Sequence, residues 1–199
     1  MKNNLVDDDD FIIDDLLKNS EKKKKINSGR KGKSGERGMV KILNNRFESY
    51  LKENPKAGSF SRSVGSGNRW SQTSALPKHA QDTFTGDLVC PEGFKFVLEC
   101  KTGYNDVDLF TCFGEKCTEL DVFIGQVKND SIRAEKLPML IWKKDRKEHV
   151  AFLSIKDIDY NKFLEDYLNK KIQSLLFYKD WIGVNINYIL SFEDGFFFN

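Results

Sequence analysis

The sequence predicts an α/β domain in which a mixed central sheet is flanked by helices. Short runs that are apolar throughout, such as LPMLIW at 137–142 and VAFL at 150–153, have the length and composition of buried strands. They alternate with longer segments in which apolar residues recur every three or four positions, as in amphipathic helices. The 199 residues suffice for one such domain with a core of its own.

The first 33 residues differ from the rest in composition and predict a charged, flexible tail. Aspartates dominate positions 7–15, lysines occupy 22–25, and little of this segment could form a core. One apolar patch at near-helical spacing interrupts it, formed by Phe11, Ile12, Ile13, Leu16 and Leu17. The patch is interpreted either as a weak helix resting on the domain or as a docking peptide for a partner protein.

Composition argues against a membrane or exported protein. Hydrophobic residues are 39% and charged residues 31%, and no apolar run approaches the roughly 20 residues that span a bilayer. The opening MKNNLVDDDD is too acidic for a secretion signal, so we expect a cytoplasmic protein, in the host cell if it is viral. The net charge is only +2, so the local distribution of charge is more informative about partners.

The four cysteines predict reduced thiols rather than a metal site. They are Cys90, Cys100, Cys112 and Cys117, and their spacing matches no strong zinc motif. Buried thiols are therefore the preferred interpretation, and a zinc-stabilised interaction module is the alternative.

The first predicted helix begins at Ser34, whose hydroxyl is a good N-cap, and ends near Asn54, before Pro55. Glu36 lies in its first turn, where a carboxylate complements the helix dipole. A short strand, FSRSV at 60–64, and the segment GSG follow. The polar loop at 68–83 is long enough to suggest function or mobility.

Residues 86–101, GDLVCPEGFKFVLECK, predict two short strands joined by a turn at Glu92 and Gly93. This register places Asp87 roughly opposite Glu99, and the two-residue period turns Lys101 to the same face as Glu99. Two carboxylates alone would repel, whereas a divalent cation between them removes the conflict, and hard oxygen ligands suit Mg²⁺. With a lysine to orient water, these groups suit phosphodiester hydrolysis.

The remaining elements follow from the same patterns. Residues 102–114 form a polar connection whose aspartates are taken as solvated, and 115–131 form a helix. The basic turn KKDRK at 143–147 joins the strands at 137–142 and 150–153. A second amphipathic helix is predicted at 155–172 and a strand at 184–190. The terminal EDGFFFN is interpreted as a last strand that packs its phenylalanines, or as a partner-docking segment.

This order of elements and acidic residues resembles the PD-(D/E)xK nuclease superfamily, and within it the archaeal-type Holliday junction resolvases. GERGMVKIL resembles the opening helix of the family, and the resemblance implies a metal-site role for Glu36. FSRSVGSG resembles the strand and Gly-Ser-Gly segment that follow, which implies roles for Arg62 and Ser66. TGDLVCPEGFKFVLECK matches the acidic hairpin with Asp87, Glu99 and Lys101.

The resemblance covers residues 34–155 and implies a nuclease domain at 34–199, with 156–199 as an extension. Two departures are visible. The proline that precedes the first aspartate in the family is Gly86 here, which should cost little because proline is not a ligand. The loop between Gly67 and Asp87 is longer than expected, which affects substrate specificity more than catalysis.

The resemblance implies a restriction-endonuclease-like fold and a metal-dependent, structure-selective DNA endonuclease, specifically a homodimeric resolvase that cuts branched DNA. Mg²⁺, or Mn²⁺ in its place, would be held by Glu36, Asp87, Glu99 and the backbone carbonyl of Cys100. Lys101 would position the attacking water, and Ser66 would hold the phosphate. The alternatives are another nuclease of the superfamily (nickase, restriction or repair type) or a non-catalytic DNA-binding protein.

Basic and polar residues around this site are the predicted contacts to DNA. The lysine run of the tail is either a solvated segment or a further contact to phosphates. Gln126 matches a polar helix position near the site of the family. The candidate contacts are Lys33, Arg62, Arg69, Lys78, Gln126, Lys143, Lys144, Arg146 and Lys147.

Overall fold

The computed structural model describes residues 28–63, 85–114 and 116–199. Its strands are β1 (Ser61–Arg62), β2 (Leu88–Val89), β3 (Phe96–Thr102), β4 (Leu137–Lys143), β5 (His149–Ser154), β6 (Leu176–Tyr178) and β7 (Trp181–Asn185). Five of them form one sheet in the order β3-β4-β5-β7-β6. β3 and β4 are parallel and the other neighbours antiparallel, so the predicted mixed sheet is confirmed.

Helices cover both faces of this sheet. They are α1 (Ser28–Arg46), α2 (Glu48–Glu53), α3 (Thr118–Ala134), α4 (Tyr160–Leu168), α5 (Ile186–Leu190) and α6 (Asp194–Phe197). One core layer joins α1 to the C-terminal helices through Met39 and Leu43 of α1 and through Phe47, which follows it. The other layer packs Phe123 and Val127 of α3 against the opposite face. No helix in the described part of the chain could span a membrane.

The first helix is longer than predicted, because α1 begins at Ser28 rather than at Ser34. Residues 28–33, assigned to the tail, therefore belong to the helix. The Nζ of Lys31 lies 2.5 Å from a carboxylate oxygen of Asp145, so an ion pair ties the first turns of α1 to the loop between β4 and β5. The predicted end of this helical region near Asn54 is confirmed.

The C-terminal third contains the main errors of the sequence interpretation. The strand predicted at 184–190 is wrong, since β7 ends at Asn185 and residues 186–190 are helical. The side chain of Asn185 accepts the N–H of Asn187 at 2.9 Å and caps α5. The helix predicted at 155–172 is also shorter: Asp159 caps α4, and Leu168 is 76% exposed.

The segment EDGFFFN is neither a strand nor an exposed docking peptide. It forms α6, and Phe197 and Phe198 are 1% and 3% exposed. Both rings make edge contacts with Phe47, which directly follows α1, with centroids 4.9 and 5.2 Å apart. Phe197 and Phe198 therefore complete the core, so the predicted packing of phenylalanines is right although the predicted strand is wrong.

Candidate active site

The predicted hairpin is built differently from the expectation, yet it brings the same residues together. β2 pairs with β1 in a separate antiparallel ribbon, with Arg62 opposite Leu88, whereas β3 joins the main sheet. Asp87 links this ribbon to β3 through backbone hydrogen bonds. Its N–H donates to the carbonyl of Leu98 at 3.0 Å, and its own carbonyl accepts the N–H of Ser63 at 3.0 Å.

This arrangement orients the Asp87 carboxylate on the free edge of β3. The N–H of Cys100 donates to Oδ2 of Asp87 at 2.9 Å. Because the N–H and C=O of one strand residue point to the same side, the Cys100 carbonyl projects from this edge as well. The carboxylate and this carbonyl therefore share one edge, and the neighbouring residue on β3 is Glu99.

Glu99 and Lys101 lie on the same face of β3, as the two-residue period predicts. The Nζ of Lys101 is 2.5 Å from Oε1 of Glu99 and 5.3 Å from the centre of the Phe123 ring. Burial and the charge of Asp87 raise the pKa of Glu99 to about 7, although Lys101 opposes the shift. Burial alone would lower the pKa of Lys101, but Glu99 and Asp87 outweigh it and raise that pKa, so the lysine stays protonated.

Glu36 reaches the same place from α1 because the preceding residue has no side chain. A Cβ on Gly35 would lie 2.0 Å from Oγ1 and 2.9 Å from Cβ of Thr102, so only glycine lets the helix approach the end of β3 this closely. Glu36 is 9% exposed, and Nη1 of Arg62 lies 3.3 Å from its Oε2. Burial and Asp87 raise the pKa of Glu36, against the opposing effect of Arg62.

The departure at Gly86 has a conformational reason. Gly86 has φ +84°, and a Cβ there would lie 2.7 Å from the carbonyl oxygen of Leu98. Proline is fixed near φ −65°, so it could not occupy this turn. Glycine allows the backbone of Asp87 to reach Leu98 directly, which positions the first carboxylate without the proline of the related hairpins.

Asp130 is a neighbour of the site that the sequence interpretation missed. It is half-buried on α3, 3.3 Å from Arg133, and burial raises its pKa. Its charge also contributes to the raised pKa of Glu99. Helical spacing from Phe123 and Val127, which face β3, could have indicated this position. The predicted Gln126 lies one turn earlier with an exposed side chain.

The predicted basic turn lies at the same end of the sheet as the acidic cluster. The parallel register pairs Thr102 with Lys143, so the segment after β4 begins beside the end of β3. Arg146 and Lys147 of this turn are exposed, as is Lys33 of α1. Lys143 is half-buried. Lys144 is half-buried, and its ammonium donates to the carbonyls of Asn105 and Val107.

Three predicted site residues lie outside the described part of the chain, and a fourth, Arg62, forms an ion pair within the site. Ser66, Arg69 and Lys78 lie outside the described residues. Arg62 is the ion-pair partner of Glu36, and its side chain is 23% exposed. Its guanidinium therefore compensates a buried carboxylate, and its contact to DNA stays a prediction.

The donor set suits a hard divalent cation, since it offers carboxylate and carbonyl oxygens, and burial together with the charge of Asp87 raises the pKa of Glu36 and Glu99. In the described part of the chain, however, no three Asp, Glu, His or Cys side chains stand close enough together to hold a metal ion. Glu99 is drawn to Lys101 and Glu36 to Arg62 instead. The same observation provides no support for a zinc site at the cysteines.

Comparison with known proteins identifies a family. A family model described as "Phage putative PDDEXK endonuclease" matches residues 27–194, which extends beyond the 34–155 stretch of the sequence resemblance at both ends. No curated protein and no solved structure gives a match. The matched region runs from the start of α1 into α6 and includes the whole main sheet. The chain therefore belongs to this family of phage PDDEXK endonucleases.

Proposed function

We propose that the protein is a metal-dependent, structure-selective DNA endonuclease and, most specifically, a Holliday junction resolvase. Membership of the PDDEXK endonuclease family supports a nuclease. The observation that carries the proposal is the convergence of Glu36, Asp87, Glu99 and Lys101 at the free edge of β3. Carboxylates that can hold a divalent cation beside a protonated amine are suited to phosphodiester hydrolysis.

Mg²⁺, with Mn²⁺ able to replace it, would be held by Glu36, Asp87, Glu99 and the carbonyl of Cys100. Bound there, a divalent cation neutralises the carboxylates and makes a water-derived nucleophile available near neutral pH. The ion pairs of Glu36 with Arg62 and of Glu99 with Lys101 must loosen for both carboxylates to serve as ligands. Arg62 and Lys101 then turn their charges toward the substrate phosphate.

Lys101 acts in this scheme as a cation and not as a base. Its pKa is raised by Glu99 and Asp87, so it keeps its proton near neutral pH. A protonated amine beside the reacting phosphate orients the attacking water and stabilises the negative charge that develops in the transition state. Ser66 is proposed to hold the scissile phosphate.

The surrounding basic residues would position DNA through its backbone. Lys33, Arg146 and Lys147 are exposed toward solvent, which suits contacts to phosphates that carry no sequence information. Recognition by shape fits a branched substrate. A resolvase must cut two strands symmetrically, so we propose a two-fold homodimer.

The test is cleavage in Mg²⁺ of a panel that contains a four-way junction and flap, nicked, single-stranded and linear duplex DNA. Paired symmetric nicks in the junction are expected, with D87N as the inactive control. Comparable cutting of linear duplex would instead favour another nuclease type of the superfamily. Junction binding without cleavage in either Mg²⁺ or Mn²⁺ would favour a non-catalytic DNA-binding protein.

A further inference from the structure

A large groove lies outside the acidic cluster, at the end of the sheet where β4 turns into β5. Its volume is about 1000 Å³, and its lining combines sheet residues, the segment before β6 and α5. Val150 and Leu175 contribute to a mainly apolar floor. Such a concave apolar surface at the edge of a domain is typical of a binding site.

The rim of the groove is basic. Lys144, Lys147 and Lys171 line it, together with one acidic residue, Glu148. Asp166 already compensates Lys171 at 2.9 Å. Among the residues that the structure describes, no carboxylate forms an ion pair with Lys144 or Lys147. The groove therefore favours an occupant that is both apolar and acidic.

The chain itself contains a segment with these properties, at residues 5–17. At helical spacing, Ile12, Ile13, Leu16 and Leu17 would share one face, and most of the aspartates at 7–15 would lie beside or opposite it. DNA would complement the lysines of the rim but not the apolar floor. An acidic amphipathic segment complements both.

The position of α1 brings the groove within reach of this segment. Lys31, in the first turn of α1, is paired with Asp145, which directly follows Lys144 in the chain. Only residues 18–27 separate the acidic segment from the start of α1 at Ser28. Ten residues can span up to about 33–36 Å when extended, so the segment can reach a groove on the same side of the domain.

We propose that residues 5–17 dock into this groove of their own chain, with the apolar side chains on the floor and the aspartates beside Lys144 and Lys147. The docked segment covers lysines of the basic turn. It therefore competes with DNA for them, a consequence that rests on the proposed function, whereas the docking itself does not.

Hydrogen–deuterium exchange of the full chain without DNA tests the docking. In I12D/L16D, amides at 147–150 and 171–176 should exchange about tenfold faster than in the unsubstituted chain, as expected when a largely populated docked state is lost. The control N3D/N19D adds the same two charges to the tail outside the apolar patch and should leave exchange unchanged. Both pairs precede α1 in the chain, so neither double substitution changes a residue of the described fold.

Hydrogen–deuterium exchange also tests the role of the charged rim and whether the occupant of the groove belongs to the same chain. K147Q should increase exchange at 171–176, unlike K156Q, whose lysine does not line the groove. Equal exchange in the unsubstituted chain and I12D/L16D would refute the docking. Protection that increases with protein concentration would assign the groove to a second copy, and protection that appears only with added DNA would assign it to DNA; either result overturns the proposal. Failure of the nuclease assay alone would leave it standing.

Discussion

Replacing Gly35 by alanine tests how α1 delivers Glu36 to the site. The added methyl would lie 2.0 Å from Oγ1 and 2.9 Å from Cβ of Thr102, far inside van der Waals contact, so helix and strand must separate. Gly38 is the matched control, since it lies one turn later in the same helix and a Cβ there meets no atom within 4 Å.

The two substitutions share the same gain in helix propensity and differ in the clash. G38A should stabilise the fold by about 0.5–1 kcal/mol, because alanine loses less backbone entropy in a helix than glycine. G35A makes the same gain but adds an overpacking cost of about 1–3 kcal/mol, so it should fall below G38A by that amount. T102A removes Oγ1, so it should lower the free energy of unfolding less in the G35A background than in the unsubstituted protein.

Urea unfolding followed by far-UV circular dichroism measures these differences, and cleavage of the preferred DNA measures the effect on the site. G35A should also lose activity, because separation of α1 from β3 moves Glu36 away from Asp87, whereas G38A should keep it. If G35A and G38A agree within about 0.5 kcal/mol, the helix does not approach Thr102 as described and the argument for Gly35 fails.

The remaining predictions concern the acidic cluster and the tail. D87N and K101A should each abolish Mg²⁺-dependent cleavage while leaving circular dichroism and DNA binding largely intact, and full cleavage by both would contradict the site. Mg²⁺ affinity measured by calorimetry should rise with pH through about 7, because the raised pKa of Glu99 means that a proton must leave before the carboxylate can bind metal; equal affinity at about pH 6 and about pH 8 would contradict this. R62A should lower the free energy of unfolding by about 1–3 kcal/mol, because it leaves the buried Glu36 without its partner, whereas R37A, at an exposed position next to Glu36, should change it little. Replacing the four lysines at 22–25 by glutamine should reduce the salt dependence of DNA binding if they contact phosphates, and an unchanged slope would assign them to a solvated segment.

The sequence was most informative where one local period decides the geometry. Glu99 and Lys101 share a face because strand side chains alternate, and this requires no knowledge of the rest of the fold. Glu36 could be assigned only by resemblance, since a carboxylate in the first turns of a helix is ordinarily explained by the helix dipole. Asp130 was missed because a polar residue on an amphipathic helix usually faces solvent.

The errors arise where a helix cap or a distant contact overrides a local periodicity. Residues 184–188, VNINY, alternate apolar and polar side chains as a strand does, but the Asn185 cap turns the chain into α5. Residues 28–33 carry no apolar stripe, and their helix is tied down by Asp145, more than a hundred positions away. The ion pair with Asp145 cannot be inferred from a short window of sequence, whereas the Asn185 cap is local but competes there with an equally local strand pattern.

The packing of α6 also bears on when the protein can become active during its synthesis. The carbonyl of Phe197 accepts the N–H of Lys95, and Asn199 donates to the carbonyl of Gly93, so the segment that leads into β3 is held by residues about a hundred positions later. At about 5–20 residues per second, a ribosome needs roughly 5–20 s to proceed from Lys101 to Phe197. Until then the strand that carries Glu99 and Lys101 lacks this anchor, so a nascent chain should remain inactive toward DNA until its synthesis has passed α6.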